Sequence, residues 1–400
     1  MKFIKSISYI LAVAAIVGVL AGCETGLLPA DSETAPASER RSETEITTMA
    51  ETKSTPNTDE SRLGYLIVTE HGIKADGSVD VTDALQTLIN ENPNRTLFFP
   101  DGTYLIRKPI TTSADPTKSV SLQLSNYAVI LADRNYWTSK EAMIRLGAQD
   151  SKVNNTDRNG SNWFFKGGIV NGAGVANGIS IDGGREVVIS DVSIKHTTIG
   201  IHVKFGINGG SSDADISSCN IIGTGTKDSK GIFVEGYDNT FTNIRIGKVH
   251  IGVHLRGAAN KLTNIHPLYY SDYSDYADSC GFWDEWGTNW FDFCYSDHFR
   301  VGFRLAHNAK SFFNNCYVFW YEAKDNSGVS RTKDYVLTAF QADGDFSSIV
   351  TVFRAGFRRD AGGVAMLSQK SANGTGVFED VIADCRDLLT DDPYHAYERK

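Results

Sequence analysis

The feature that most constrains the fold of this chain is an internal repeat with a base period of about 22 residues. A glycine followed by an aliphatic or aromatic residue recurs at intervals of 22, 31, 21, 29 and 21 residues. A unit this short cannot bury its own apolar face, so we expect successive units to stack as the coils of a solenoid. The repeated pairs are Gly178-Ile179, Gly200-Ile201, Gly231-Ile232, Gly252-Val253, Gly281-Phe282 and Gly302-Phe303.

A second pattern supports the same architecture. It has an apolar residue at its first and fourth positions and Asn, Asp or Ser at its third position. Cys219 and Cys316 stand at the inward fourth position, which favours small buried hydrophobic side chains over a disulfide or a metal site. The pattern occurs at Ile189–Val192, Ile216–Cys219, Phe241–Ile244, Leu262–Ile265, Trp290–Phe293, Phe313–Cys316 and Phe378–Val381.

Composition agrees with one long repetitive domain. The 400 residues include 37 glycines and 9 prolines, which suits a chain that turns often between short strands. Six cysteines over this length are too few for a disulfide scaffold. The net charge of −9 argues against nucleic acid as the main partner.

The first residues have the pattern of an export signal. Lys2 and Lys5 precede an apolar stretch from Ile7 to Leu20, which is short for a membrane span and predicts a signal peptide over residues 1–22. The sequence Leu20-Ala21-Gly22-Cys23 resembles a bacterial lipobox. That resemblance implies lipidation of Cys23 and an extracytoplasmic protein anchored to the bacterial cell membrane by lipid alone. The alternative is a plain secretory signal.

Residues 23–62 are predicted to be a disordered tether. From Glu24 to Arg62 there is no aromatic residue, and the stretch is rich in Ser, Thr, Glu, Ala and Pro. It carries nine acidic and four basic residues, and it cannot bury enough apolar surface to fold. Residues 63–400 then remain as a single folded domain of mildly acidic character.

The folded domain opens with a recognisable block. Asp80 is a plausible N-cap, and Val81, Ala84, Leu85, Leu88 and Ile89 share one face of a short helix. The block also holds the motifs G-x-x-x-D-G, from Gly72 to Gly77, and F-P-x-G-x-Y, from Phe99 to Tyr104. It resembles the N-terminal block of the pectate lyase superfamily, which includes relatives of the family 28 glycoside hydrolases. The resemblance implies an all-β, right-handed parallel β-helix whose N-terminal end is capped by this helix.

The catalytic motifs of family 28 are not found at the corresponding positions. In that family the catalytic carboxylates lie just before the Gly-Ile strand, on Asn-Thr-Asp-Gly, Asp-Asp and Gly-His-Gly motifs. Here Asn155-Thr156-Asp157 is followed by Arg158 and precedes the repeats, so it is interpreted as a turn. The resemblance therefore predicts the fold without carrying the family's active site across.

Alignment of the coils predicts two outward columns of side chains. If the residue after each glycine points inward, alternation turns the next residue outward, and the fourth residue after glycine outward as well. The first column comprises Ser180, His202, Phe233, His254, Trp283 and Arg304. The second comprises Asp182, Lys204, Glu235, Arg256, Glu285 and Ala306.

Each column has a structural and a functional interpretation. The second column alternates in sign, which suits a cross-strand ion ladder worth about 0.2–1 kcal/mol per pair, or the charged floor of a saccharide cleft. The first column offers rings that could contact sugar or simply stack on one another. A loop rich in acids and aromatics between Tyr269 and Trp290 is a further candidate sugar site, or else covers a hydrophobic flank. Predicted substrate-binding residues are His202, Tyr273, Trp283, Trp286 and Arg304.

Two chemistries remain open for the catalytic residues. A hydrolase needs two carboxylates, about 5–5.5 Å apart for retention or about 6.5–9.5 Å for inversion, and a lyase needs a base and a cation that neutralises a uronate carboxylate. The candidate carboxylates are Asp228, Glu235, Asp278 and Glu285. The candidate bases are Lys204, Lys230, His254, Arg256 and Arg300.

No cofactor is firmly predicted. Asp272, Asp275 and Asp278 could ligate Ca²⁺, but no defined calcium-loop motif supports them. The sequence therefore favours a cell-surface glycosidase or lyase that acts on a pectin-like or other polysaccharide. The alternatives are a glycan-binding β-helix lipoprotein without catalysis, and a structural surface protein.

Overall fold

The computed structural model describes residues 64–150, 164–205, 211–268, 278–305, 310–320 and 337–343, followed by six short strands between residues 347 and 399. The chain divides into two units, 1–57 and 58–400, and all described residues belong to the second. The signal peptide, Cys23, the tether, Asn155–Asp157, Tyr273 and the acids Asp272 and Asp275 lie outside the described residues.

Parallel pairing from coil to coil builds the domain. Ile201 pairs with Ile232, and Ile232 pairs with Val253 on the following coil. The same step recurs along a ladder of ten strands, which we call the ten-stranded sheet. Its strands are Ile110–Ser113, Ala142–Gln149, Asn177–Ile181, Ile199–Val203, Lys230–Val234, Ile251–Leu255, Cys280–Asp284, Val301–Leu305, Leu337–Ala342 and Val364–Gln369.

The other strands of the coils form two further ladders, which are joined into one sheet of 23 strands. The join is made by the eight-residue strands Thr240–Gly247 and Lys261–Leu268, each of which pairs in both of these ladders. The other strands are Tyr65–Ile67, Asp76–Asp80, Arg95–Phe99, Gly102–Ile106, Val120–Leu124, Ala128–Ala132, Phe164–Lys166, Ile169–Asn171, Val188–Ser190, Ser193–Thr197, Asp215–Ser217, Asn220–Gly223, Trp290–Asp292, Tyr295–Asp297, Phe312–Asn314, Tyr317–Trp320, Ser347–Thr351, Arg354–Phe357, Thr375–Glu379, Ile382–Ala383 and Tyr397–Arg399. Gly184–Arg185 and Ser211–Ser212 form a separate short pair. This is the predicted right-handed parallel β-helix.

The core lies between the ladders, as the repeat predicts. Ile179, Ile201, Ile232 and Val253 are fully buried, one on each coil. On the later coils phenylalanine takes over these inward positions, and the ring of Phe282 stacks on that of Phe303 at 4.8 Å between centroids. Cys219, Cys280, Cys294 and Cys316 are free and buried, which confirms the interpretation of Cys219 and Cys316 as small hydrophobic residues.

The second sequence pattern marks a corner of each coil. Its polar third residue adopts the left-handed conformation, with φ of 56° at Asn243 and 55° at Asn264. Asn tolerates this region better than most residues, and the Nδ2 of Asn264 donates to the Oδ1 of Asn243 at 2.8 Å. The apolar residues on either side of the corner are therefore both directed into the core.

The predicted register is wrong on one coil. Phe291 pairs with Leu262, so Phe291 and Cys294 point inward, whereas Trp290 and Phe293 are exposed. All of residues 290 to 294 except Asp292 are apolar or cysteine, and hydrophobicity alone cannot distinguish two registers that differ by one residue. The final occurrence, Phe378–Val381, has no described side chains.

The predicted N-terminal helix is present at Thr82–Glu91. Leu85, Leu88 and Ile89 are buried in the core cluster, but Ala84 is exposed and does not belong to the apolar face. The helix begins later than predicted, since the residue preceding its first turn is Val81, and Asp80 accepts a hydrogen bond from the Thr82 N–H at 3.0 Å. Two 3₁₀ turns lie at Val68–His71 and Pro116–Lys118.

Where the chain is described, none of its helices combines the length and apolar character that a membrane crossing requires.

Candidate functional site

The outer edge of the ten-stranded sheet carries a row of ion pairs where the strands end. The Nζ of Lys204 lies 3.1 Å from the Oδ2 of Asp182, and Arg256 lies 3.8 Å from Glu235 and 3.2 Å from Glu285. The alternating charges of the predicted second column therefore form the expected ladder. The ladder is interrupted between Lys204 and Glu235, which pair with other partners.

Each glutamate of the row also contacts a histidine from the preceding coil. The Nε2 of His202 lies 2.9 Å from the Oε2 of Glu235, and the Nε2 of His254 lies 2.7 Å from the Oε2 of Glu285. Arg256 stands between the two glutamates and reaches both. We call these five residues the carboxylate site.

The contacts of the carboxylate site set its protonation. The hydrogen bond from His202 lowers the pKa of Glu235, assisted by the positive charges of Arg256 and Lys230. Burial, together with Lys230 and Arg256, lowers the pKa of His254 to about 2. His254 is therefore neutral near pH 7, and its Nε2–H donates to the Glu285 carboxylate.

Lys230 lies beside this site. Its Nζ stands 4.1 Å from the centroid of the Phe233 ring, a cation–π contact. Burial lowers the pKa of Lys230, and the charges of Glu285 and Glu235 oppose this effect. A lowered pKa increases the fraction of lysine that is neutral near pH 7 and can therefore act as a general base.

In the first outward column the rings stack on one another, which was one of its two predicted interpretations. His254 and Phe233 are buried, because the rings stack on one another from coil to coil. The centroid of His254 lies 4.9 Å from that of Phe233 and 4.2 Å from that of Trp283. The guanidinium of Arg304 covers the remaining face of Trp283 at 4.2 Å and also bonds Asp343. The stacked rings consequently leave little ring face for a sugar.

The predicted base Lys204 belongs to a separate ion cluster. Lys204 contacts Glu141 as well as Asp182, and Arg145 Nε donates to Asp182 Oδ2 at 3.0 Å. Burial raises the pKa of Asp182, but hydrogen bonds from Arg145 and Ser180 outweigh it and the net pKa is lowered. A lysine held between two carboxylates is poorly placed to accept a proton.

The four predicted carboxylates do not form one site. Asp278 lies before the strand Cys280–Asp284 and accepts from the Nε2 of His250 at 3.0 Å, whereas Glu285 follows that strand. Five residues of strand separate these ends by about 16 Å. Asp228 likewise precedes its strand and Glu235 follows it. Glu235 and Glu285 share one edge, while Asp228 and Asp278 lie at the opposite edge.

Sequence reasoning missed an aromatic row beside the carboxylate site. Phe205, Tyr237 and Trp286 follow the charged residues Lys204, Glu235 and Glu285 by one or two positions. Ring centroids are 5.9 Å apart from Phe205 to Tyr237 and 6.4 Å apart from Tyr237 to Trp286. Of these three, only Trp286 was predicted to bind substrate. Extending the coil alignment by two positions would have revealed the row.

A buried acid lies directly beneath this edge. Asp284 lies between Trp283 and Glu285 in the sequence, and its side chain is buried. This burial raises the pKa of Asp284 to about 7. Its Oδ1 accepts from the Nδ2 of Asn289 at 2.9 Å, and Ser311 bonds its other oxygen. Asn289 is the last member of a ladder of buried asparagines that donate from coil to coil. The other members of the ladder are Asn239 and Asn260.

The metal prediction is not settled by the described residues. Among them, no group of three or more His, Cys, Asp and Glu side chains is arranged to hold a metal ion. The predicted Ca²⁺ ligands Asp272 and Asp275 lie outside the described residues, and Asp278 bonds His250. Ca²⁺ therefore stays a prediction.

Comparison with known proteins places this geometry in context. Residues 65–291, more than half of the chain, match the family model described as rhamnogalacturonase A/epimerase, pectate lyase-like. No curated protein matches the sequence.

Several solved structures share the fold. ORF18 of Geobacillus virus E2 has a TM-score of 0.58 at 13% identity and covers 81% of this chain and 62% of its own. The tailspike of E. coli bacteriophage HK620, solved with a pentasaccharide, has a TM-score of 0.58 at 12% identity and covers 85% and 64%. Gene product 12 of bacteriophage phi29 has a TM-score of 0.57 at 12% identity and covers 81% and 50%. The chain thus spans less than two thirds of these proteins, and at such identities the likeness is one of fold.

Proposed function

The chain belongs to the rhamnogalacturonase A/epimerase, pectate lyase-like family, and from this membership we propose that it cleaves a polysaccharide at the carboxylate site. The single observation that carries the proposal is the arrangement of Glu235, Arg256 and Glu285 on one exposed edge, with a histidine behind each glutamate. A glycoside hydrolase typically uses a pair of carboxyl groups that flank the glycosidic bond.

The spacing of the glutamates favours inversion over retention. Their backbones lie two coils apart, which corresponds to about 9.6 Å at the parallel strand spacing, and the carboxylates come closer than this because both reach the guanidinium of Arg256. That separation is close to the range of about 6.5–9.5 Å that leaves room for a water molecule, and well above the retaining distance of about 5–5.5 Å. Glu235, whose pKa is lowered by His202, would activate the water as base. Glu285 would protonate the leaving oxygen, which requires that it carry a proton in the complex once the sugar has displaced Arg256.

In this scheme Arg256 bridges and positions the two carboxylates in the free protein. Its side chain is half exposed, so an arriving sugar can displace it from between them without opening the core. The neutral His254 fixes the position of Glu285 through its Nε2–H. The net reaction adds water across one glycosidic bond, with the proton taken by Glu235 balanced by the proton given by Glu285.

A lyase reaction is the second candidate, and the environment of Lys230 favours it. The lowered pKa of Lys230 suits a base that removes the proton α to a uronate carboxylate, and Arg256 would neutralise that carboxylate. Elimination then breaks the glycosidic C–O bond and leaves a double bond in the product. Hydrolysis leaves no double bond, so product analysis separates the two reactions.

The test is turnover of a panel of homogalacturonan, rhamnogalacturonan and neutral galactan. New reducing ends without ultraviolet absorbance identify a hydrolase, and an absorbing unsaturated product identifies a lyase. We expect Glu235→Gln and Glu285→Gln each to abolish turnover, while Glu91→Gln at the end of the helix Thr82–Glu91 retains it. Glycan binding without turnover would contradict the proposal and support the non-catalytic alternative.

We further propose that the protein is a cell-surface lipoprotein attached through Cys23. The lipobox-like sequence Leu20–Cys23 supports this proposal. A Cys23→Ser variant expressed in a bacterial host should lose incorporation of labelled fatty acid and leave the membrane fraction. Retention of both properties would overturn the lipid anchor.

A further inference from the structure

The aromatic row of Phe205, Tyr237 and Trp286 runs along the same edge as the carboxylate site. Phe205 is 57% exposed and Trp286 is 45% exposed, and both contact Tyr237, so the three rings form one contiguous aromatic patch. The three residues lie on the coils of Gly200, Gly231 and Gly281, so their backbones span three coil steps, or about 14 Å, while the centroids of their rings span no more than about 12 Å. The coil between them, which bears Arg256, contributes no aromatic residue here.

The angles between these rings leave their faces available. Phe205 and Tyr237 meet at 75° between ring planes, and Tyr237 and Trp286 also meet at 75°. In such edge-to-face contacts the edge of one ring covers only part of one face of its neighbour, so more ring face stays open than in parallel stacking. In the first outward column, by contrast, the rings are stacked face to face, which covers their faces. The stacked rings are those of His202, Phe233, His254 and Trp283.

A second exposed pair on the molecule provides the contrast. Trp290 and Phe312 lie on the large sheet and are 40% and 38% exposed. Their rings are nearly parallel, at 11° between planes and 5.8 Å between centroids. No charged cluster comparable to the carboxylate site adjoins them among the described contacts. They match the aromatic row in size and exposure but differ from it in ring geometry and in neighbours.

We propose that Phe205, Tyr237 and Trp286 form a wall that binds a glycan chain of several sugar rings lying along the axis of the β-helix. The inference rests on the proposed function, since the wall borders the carboxylate site over the coils that bear Glu235 and Glu285. The apolar C–H faces of pyranose rings pack against aromatic faces, while their hydroxyl groups reach the adjoining charged row. The wall binds the glycan chain, and the carboxylate site cleaves a glycosidic bond in it.

This arrangement predicts that binding affinity depends on the length of the glycan. A single sugar ring can contact only one member of the wall, whereas a longer oligomer contacts all three at once. Affinity should therefore rise with each added unit until the three rings, whose centroids span no more than about 12 Å, are covered, and then level off. The wall binds ground state and transition state alike, so its loss should raise KM and leave kcat nearly unchanged.

The experiment measures binding of oligogalacturonides and galacto-oligosaccharides of one to six units by calorimetry. It uses the Glu235→Gln/Glu285→Gln protein, so that no ligand is consumed. Adding Phe205→Ala/Trp286→Ala should weaken binding of the longest ligand about tenfold or more and remove the length dependence. The matched control, Trp290→Ala/Phe312→Ala, should bind as its parent does.

The outcomes separate this inference from the proposed function. If the protein with intact glutamates turns over glycans and Phe205→Ala/Trp286→Ala leaves KM unchanged, the wall is wrong and the proposed function stands. If glycans bind through the wall but none is cleaved, the wall stands and the catalytic proposal fails. Equal loss of affinity in the control pair, or no binding by any variant, overturns the wall. Thermal unfolding of each variant shows whether the loss reflects misfolding.

Discussion

The Nε2 of His254 lies 2.7 Å from the Oε2 of Glu285 on the following coil, and the same relation recurs two coils earlier between His202 and Glu235. The repeat of the fold thus reproduces a histidine–glutamate pair in two places. The two copies differ in burial, because His254 is buried between Phe233 and Trp283 whereas His202 is partly exposed. One repeated contact therefore occurs in two environments, one with a buried imidazole and one with a partly exposed imidazole.

We predict that His202→Ala raises the pKa of Glu235, because that hydrogen bond is the main cause of its lowered value. If Glu235 is the base, the acidic limb of the pH–activity profile then moves to higher pH. The shift is measured from kcat/KM against pH. Replacement of His266, which lies on the large sheet, should leave the limb in place, and an unchanged limb in His202→Ala would exclude Glu235 as the titrating base.

We predict that Arg256→Gln lowers activity far more than stability. Arg256 is half exposed and its ion pairs are screened by water, so the free energy of unfolding should change by less than about 1 kcal/mol. Loss of the cation between Glu235 and Glu285 should reduce kcat/KM by about tenfold or more. Arg185→Gln removes a surface ion pair with Asp213 and should alter neither quantity strongly. Full activity in Arg256→Gln would contradict a role in the site.

Asp284 should make stability fall as pH rises. Its pKa is raised to about 7 in the folded protein from an ordinary 3.8, so between these values the folded state holds a proton that the unfolded chain has released. Its contribution to stability is complete below about pH 4 and is lost as pH rises through about 7. Asp284→Asn removes the charge and keeps the acceptor for Asn289, while its Nδ2–H can donate to the Ser311 Oγ instead of accepting from it. Its advantage over wild type should grow by roughly 1 to 4 kcal/mol across this window.

Denaturant titrations at several pH values test this prediction. Asp182 is the matched contrast, because its lowered pKa gives the opposite sign: its contribution is present above the ordinary pKa and is lost as pH falls. Asp182→Asn should therefore destabilise the protein at neutral pH. A constant difference between Asp284→Asn and wild type at all pH values would show that Asp284 does not titrate in this range.

We predict a large cost for Phe303→Ala and a small one for Phe293→Ala. Phe303 is fully buried and stacks between Phe282 at 4.8 Å and Phe340 at 5.2 Å, so its removal leaves a cavity worth about 3–5 kcal/mol. Phe293 is exposed at a corner with a φ of 53°, and its loss should cost less than about 0.5 kcal/mol. Similar costs for both residues, measured by denaturant unfolding, would contradict the register described here.

The repeat was sufficient to predict the fold because stacking imposes one rule on every coil. The residue after each glycine must point inward, and this rule correctly placed Ile201, Ile232 and Val253 in the core and the charged ladder at the edge. The same rule failed at Trp290–Phe293, where almost every residue is apolar and burial could not choose a register.

The candidate site was predicted only in its components. Glu235, Arg256 and Glu285 were among the predicted residues, but so were Asp228 and Asp278, which lie at the opposite strand edge. Alignment of the coils identifies which residues share a column. The distance between two columns is set by the length of the strand that lies between them. Phe205 and Tyr237 were missed because residues beyond the fourth position after glycine were left out of the alignment.

By itself, the sequence determined the coiled architecture, the inward apolar positions, the helix near the N-terminal end and the order of charges along one edge. All of these follow from the repeat in the sequence, which places the same kinds of residue at the same positions of each coil. Only the tertiary structure decided which side chains meet, because contacts between coils depend on rotamers and on unequal turns. Burial of His254 within the stacked rings, the bridge of Arg256 between two glutamates and the enclosure of Asp284 each depend on three coils at once. No single repeat contains that information.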